Sequence, residues 1–269
     1  EVELVRIPHA VNDSVFCKIP DTNLIKSFKK DNGLGHGTDG KKRFTFFWNN
    51  RNARRKQSGT LIFWFKEFLD LVGHDNACLV MHTEPKDPNG QDLEAIIENL
   101  GLDNGQVVLS TQKISSADLA NVYGSVDCTI NISDAEGFGL GTLESLACEA
   151  PIIVNMTGGL QEQVTDGEEW FGIGLTPSSK AVIGSQDVPY IYEDRLSKDD
   201  FVGALVKFFN LSSEEREKMG RLGRSHVMKN YSLSQYIGLW YETLNNLIES
   251  EGSWSNRKNY QSWELREIK

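Results

Sequence analysis

Residues 127–159 read DCTINISDAEGFGLGTLESLACEAPIIVNMTGG, and the order of features within them decides the architecture. An apolar run, DCTINIS (127–133), gives way to a turn with glycine at alternate positions, Gly137, Gly139 and Gly141. A helical stretch follows, TLESLACEA (142–150), and then a second apolar run, PIIV (151–154). Strand, glycine turn, helix and strand in this order form a βαβ unit, whose two strands lie parallel because the helix carries the chain back across the sheet.

The same alternation extends toward the N-terminus. RFTFFW (43–48), ACLVMH (77–82) and QVVLS (106–110) read as strands, separated by the helical stretches GTLIFWFKEFLDLV (59–72), QDLEAIIENLG (91–101) and SADLANVYG (116–124). Apolar runs without polar alternation are strands covered on both faces, which predicts an α/β fold: a Rossmann-like, doubly wound parallel sheet. Two helices are expected at the C-terminal side. Ser212-Ser213-Glu214-Glu215 is a capping box opening a helix to about residue 230, and Leu233, Tyr236, Ile237, Trp240, Leu244, Leu247 and Ile248 mark an apolar stripe on the next. The chain divides into an N-terminal segment and linker (1–40), a Rossmann-like α/β domain (41–250) and a tail (251–269). DNGLGHGTDG (31–40) is read as a loop despite its glycines, because no strand leads into it. PSSKAVIGSQDVPYIYEDR (177–195) is an insertion to which the sequence assigns no role.

With 269 residues, a core of ordinary size needs no disulfide or structural metal. The formal net charge of -10 opposes general attraction to nucleic acid, so any anion must be held by a local cluster of cations. Cys17, Cys78, Cys128 and Cys148 show no CxxC pair or zinc spacing, and Cys78, Cys128 and Cys148 are expected to be buried thiols. Free thiols, together with the lack of an apolar run of membrane-spanning length, predict a cytoplasmic protein. The first residue is Glu1 and no signal pattern follows it, which suggests a chain that starts within a longer one. The tail is polar except for Trp254, Tyr260 and Trp263, and it needs a surface to lie against.

In an open parallel sheet, ligands bind beyond the carboxyl ends of the strands. After the first strand comes NNRNARRK (49–56), with four cations, Arg51, Arg54, Arg55 and Lys56, within six residues of an acidic chain. After strand 127–133 comes Glu136-Gly137-Phe138-Gly139-Leu140-Gly141-Thr142-Leu143-Glu144. Its glycines admit close backbone approach, and the N–H groups at the following helix start point at an anion, with a carboxylate on each side to accept hydrogen bonds from hydroxyls. The segment lacks both the dinucleotide fingerprint and the Gly-Lys-Ser/Thr ending of a P-loop. Thr157-Gly158-Gly159-Leu160 repeats the glycine turn beside it, and His82 and Lys113 lie after two other strands.

These residues resemble retaining glycosyltransferases of family 4, in the GT-B superfamily. The resemblance rests on Glu136 and Glu144 with seven residues between them, on GFGLGTLE, and on Arg51 and Lys56 five apart. It implies one half of a GT-B fold, the half that binds a nucleoside-diphosphate sugar (a UDP-, GDP- or ADP-sugar). Carried over, Arg51 and Lys56 clamp the diphosphate with the backbone of Leu140, Gly141 and Thr142. Glu144 takes the ribose, Glu136 with Gly137, Phe138 and Gly139 takes the transferred sugar, and Lys113 lies near the base. The resemblance further implies transfer with retention and no metal or cofactor, to a glycan, lipid or protein acceptor held by a preceding domain. Alternatives within the superfamily are a nucleotide-sugar epimerase or a phosphorylase; outside catalysis, a nucleotide-sugar-binding module. Where the family often has a glycine pair after the second strand, this chain has MHTEPKDPNG (81–90).

Overall fold

The computed structural model describes residues 4–19, 22–35, 40, 42–253 and 255–258. His36, Gly37, Trp254, Tyr260 and Trp263 lie outside the described residues. Six parallel strands form the central sheet: β1 (Phe44–Asn49), β2 (Ala77–His82), β3 (Val107–Ser110), β4 (Cys128–Asn131), β5 (Ile152–Asn155) and β6 (Gly172–Leu175). Their spatial order is β3-β2-β1-β4-β5-β6. The order reverses between β1 and β4, which leaves a crevice beyond the carboxyl ends of those two strands.

Successive side chains of β1 point to opposite faces, and both faces are buried. Phe46 and Trp48 join one core with Leu61, Phe65 and Phe68 of α2 (Ser58–Val72), Leu93 of α3 (Leu93–Asn99) and Phe201 and Phe208 of α7 (Lys198–Phe209). Phe47 joins the other, with Tyr123 of α4 (Ser116–Tyr123), Leu143 and Leu146 of α5 (Leu140–Ala147), Leu160 of α6 (Leu160–Val164) and Val227 of α8 (Ser213–Asn230). Covering by helices on both sides is why the strands read as unbroken apolar runs. Cys78, Cys128 and Cys148 are buried and unbridged.

The capping box opens α8 as the sequence predicts: Glu215 N–H donates to Ser212 Oγ at 3.2 Å, and Ser212 N–H to Glu215 Oε2 at 2.8 Å. The next helix is α9 (Leu233–Glu251), but its apolar stripe stays uncovered among the described residues, with Ile237, Leu244, Leu247 and Ile248 exposed. Before β1, α1 (Thr22–Asp31) occupies part of the segment expected as linker, and its last residue is the first of the predicted loop 31–40. The helix expected after the second glycine turn is formed, as the short α6, whereas β6 and the hairpin below carry too little pattern to be read. β6 is GIGL, with two glycines in four residues, and α6 has only five residues. The insertion forms an antiparallel hairpin of β7 (Ser179–Val182) and β8 (Tyr192–Arg195), mostly polar and exposed.

Candidate functional site

Beyond the ends of β1 and β4, the chain places a buried cation against a carboxylate and a helix start. β1 ends at Asn49, and a single 3-10 turn, Arg54–Lys56, swings the Lys56 side chain inward, where only 9% of it is exposed. Its ammonium donates to Glu136 Oε2, which also lies 3.4 Å from Ser133 Oγ and 3.5 Å from Asn131 Nδ2. Burial holds the Lys56 amine below its ordinary pKa, and the Glu136 carboxylate opposes that shift only in part.

The loop bearing Glu136 runs directly into α5. That helix begins at Leu140, two residues before the stretch expected from sequence, because Gly139 adopts φ 89° and forms its cap. The first N–H groups of any helix lack intrahelical acceptors, so Leu140, Gly141 and Thr142 present theirs at the crevice. A Cβ built on Gly139 would lie 3.5 Å from Glu136 Cγ, so the carboxylate stem and the helix start are in contact. The Thr142 hydroxyl is buried and faces Gln163 Oε1 at 2.6 Å, while Gln163 Nε2 donates to Phe138 O at 2.7 Å. The Phe138 ring packs edge-on against His9 and Tyr231 at 5.1 and 5.7 Å.

The second glycine turn packs directly under the first. Gly159 N–H donates to Gly137 O at 3.2 Å, and a Cβ on Gly158, which has φ 50°, would overlap the Glu136 carbonyl. The turn therefore props the first loop, and α6 is a helix of barely one turn.

Glu144 lies one turn into α5. Tyr123, fully buried, donates its hydroxyl to Glu144 Oε2 at 3.2 Å and accepts from Asn49 Nδ2 at 3.0 Å. Burial pushes the Glu144 carboxyl up from 4.5 to about 7. The folded state thus holds this proton more tightly than the unfolded chain, so stability present below about pH 4.5 is lost as pH rises through 7. Glu144→Gln is expected to raise the free energy of unfolding by about 2 kcal/mol at pH 8 and change it little at pH 4, measured by urea denaturation at the two values.

Arg51 and Lys113 stand apart from this group. Arg51 is 64% exposed and forks onto Asp87, with Nε–Oδ2 2.6 Å and Nη2–Oδ1 3.1 Å. Asp87 belongs to the segment that replaces the expected glycine pair, and the Arg51 guanidinium holds its carboxyl far below the usual range. Lys113 is exposed between β3 and α4, next to Gln112 and Ile114. Those two neighbours line a cavity of about 650 Å³ with Phe47, Val80, His82 and Ser110. His82 Nδ1 lies 3.0 Å from Ser110 Oγ, and burial holds its pKa below the ordinary value.

Tyr123, Asn49 and Asp134, and the ion pairs of Glu193 and Arg195 described below, escaped the sequence reading. Each has a partner 61 to 139 positions away in the chain, and nothing in the residues beside it announces such a partner. Among the described residues no group of three His, Cys, Asp or Glu is placed to hold a metal ion, and no helix is long and apolar enough to cross a membrane.

Comparison with known proteins agrees with this fold. The D-inositol 3-phosphate glycosyltransferase of Arthrobacter sp. (strain FB24) is 29% identical over 109 residues, 40% of this chain and 25% of that protein. Among solved structures, sucrose-phosphate synthase from Thermosynechococcus elongatus superposes with a TM-score of 0.69 at 19% identity, over 91% of this chain and 52% of that one. Anabaena HepE, solved with UDP and glucose, gives 0.65 at 14% identity, over 88% and 55%. The chain therefore spans about half the length of these structures and less of the curated relative. The family model described as "Glycosyl transferases group 1" matches residues 36–226. With its Rossmann-like sheet, its glycine turn at the strand-order reversal and that match across most of its length, the chain belongs to the glycosyl transferases group 1 family.

Proposed function

We propose that this chain is the donor-binding half of a retaining glycosyltransferase of the family 4 type, which takes a sugar from a nucleoside-diphosphate sugar. The observation that carries the reading is the Lys56 ammonium and Glu136 carboxylate, paired against the first turn of α5 where the strand order reverses. The diphosphate would lie on the Leu140, Gly141 and Thr142 N–H groups and displace Lys56 toward itself, with Arg51 turning from Asp87 to join it. Glu136, released from the lysine, would accept hydrogen bonds from the sugar hydroxyls beside Gly137, Phe138 and Gly139. The ribose would meet Glu144, and the base would enter the cavity near Lys113 that Phe47 and His82 line.

Cleavage of the bond between the anomeric carbon and the phosphate oxygen leaves negative charge on the diphosphate, and fixed cations and N–H dipoles stabilise it as it develops. This accounts for transfer without a metal or cofactor. Retention follows if the acceptor hydroxyl attacks from the leaving-group face and gives its proton to a donor phosphate oxygen. The acceptor, a glycan, lipid or protein, would be held by a further domain. The unbridged thiols support a cytoplasmic site of action.

HepE, of the same fold, is solved with UDP and glucose, so UDP is the first nucleotide to try. Calorimetry with UDP, GDP and ADP is expected to show binding of at least one, weakened by Arg51→Ala. If none binds, the proposal fails.

A further inference from the structure

The three residues that end β8 bind the carboxyl ends of three sheet strands together around the Lys56–Glu136 pair. Glu193, 3% exposed, accepts both arms of the Arg54 guanidinium, at 2.6 and 2.9 Å, and takes Arg195 Nη2 at 2.9 Å. Arg195 Nη1 and Gln57 Nε2 both donate to Asp134 Oδ2. Between them, Asp194 N–H donates to Asp134 O at 2.8 Å, and the Asp194 carboxylate accepts from Thr157 Oγ1 at 2.7 Å. Asn155 Nδ2, at the end of β5, donates to Asp194 O at 3.1 Å.

Arg54 lies two residues from Lys56 and Asp134 lies two residues from Glu136. The hairpin thus grips both loops immediately beside the residues that meet in the crevice. Asp134 N–H closes the arrangement by donating to Arg55 O at 2.8 Å. A surface hairpin that only filled space would not need a buried carboxylate shared by two arginines, because burying that charge is costly unless it is paired.

We propose that the β7–β8 hairpin is a positioning element for the reaction centre, with Glu193 acting through Arg54 to hold Lys56 in the crevice. Glu193 and Arg195 touch no ligand in this account, so they are positioning residues. The inference concerns where Lys56 is held and rests on the proposed function only in what Lys56 is held for.

The test is competitive acetylation of the whole chain with trace acetic anhydride, read by mass spectrometry at Lys56 relative to Lys218, which is exposed on α8. Glu193→Ala is expected to raise labelling of Lys56 about fivefold and Glu193→Gln, which keeps the size and loses the charge, about twofold. The double variant Arg54→Ala/Glu193→Ala is expected to label no faster than the faster single variant, because both changes break one connection. A Lys56 rate unchanged or lowered in Glu193→Gln, with the melting temperature retained, overturns the proposal, and so do additive effects in the double variant. Should Glu193→Ala not fold, Glu193→Gln decides alone. Titration with UDP, GDP and ADP keeps the two ideas separate. Weaker binding by the fast-labelling variants supports positioning, whereas no binding by the unaltered chain sinks the glycosyltransferase reading and leaves the labelling result standing.

Discussion

Lys56→Met is expected to lower the affinity for a nucleoside diphosphate about 100-fold, because a charge-assisted hydrogen bond from a largely buried ammonium contributes about 1.5–3 kcal/mol. Methionine keeps the aliphatic stem and removes only the charge, so the packing of a side chain that is 9% exposed survives. The change also leaves the largely buried Glu136 with only the looser Arg55 guanidinium, 3.9 Å away, which costs stability whatever the site binds. The paired variant Lys56→Met/Glu136→Gln separates the two effects. It is expected to recover most of the melting temperature and none of the affinity, measured by calorimetry and thermal denaturation side by side. Recovery of affinity in the paired variant would mean that the lysine serves the fold alone. The depressed pKa of Lys56 adds a pH dependence: its cation is lost at lower pH than an exposed lysine's, so affinity should begin to fall on the alkaline side before an exposed lysine deprotonates.

Gly158→Ala is expected to destabilise the chain by about 4 kcal/mol, the sum of an alanine at positive φ and a methyl group driven into a backbone oxygen. At this position φ is 50° and the added Cβ would overlap the Glu136 carbonyl. The next residue of the turn is also tight, though less so, since a Cβ on Gly159 would lie 2.6 Å from Phe138 O. Relief requires the Glu136 loop to move away from the 157–159 turn, and Lys56 would lose its partner with it. Binding of the nucleotide should therefore weaken about tenfold even at temperatures where the variant remains folded. Gly137→Ala is the contrast: a Cβ there meets nothing within 4 Å, and the melting temperature should barely change. Equal destabilisation by the two substitutions would show that the second glycine turn does not support the first loop.

The fold was legible because its signals are local. Five of the six parallel strands read as apolar runs, since a strand covered on both faces has no polar side to interrupt the pattern. The sixth, β6, carries Gly172 and Gly174 and lacks that pattern. The capping box at Ser212 needs only four residues to be recognised, and the structure forms it. The helix start at Leu140 shifted because backbone torsion at Gly139, rather than apolar periodicity, sets it. The hairpin at 179–195 offered no signal, because Glu193 and Arg195 look like any surface charges until Arg54 and Asp134 are brought against them.

The candidate site divides the same way. Residue order alone sufficed to put Glu136, the glycines and Lys56 at strand ends, because a parallel sheet delivers every such loop to one edge. The sequence thereby determined the α/β class and the sheet edge to which Glu136, the glycines and Lys56 are delivered. Only the tertiary structure decided that Lys56 turns in to Glu136 while Arg51 turns out to Asp87, that Glu144 is desolvated beside Tyr123, and that Gly158 supports the Glu136 loop. The physical reason is range: torsions and apolar periodicity act over a few neighbouring residues, whereas ion pairing and burial depend on groups such as Glu193 and Arg54 that are 139 positions apart in the chain.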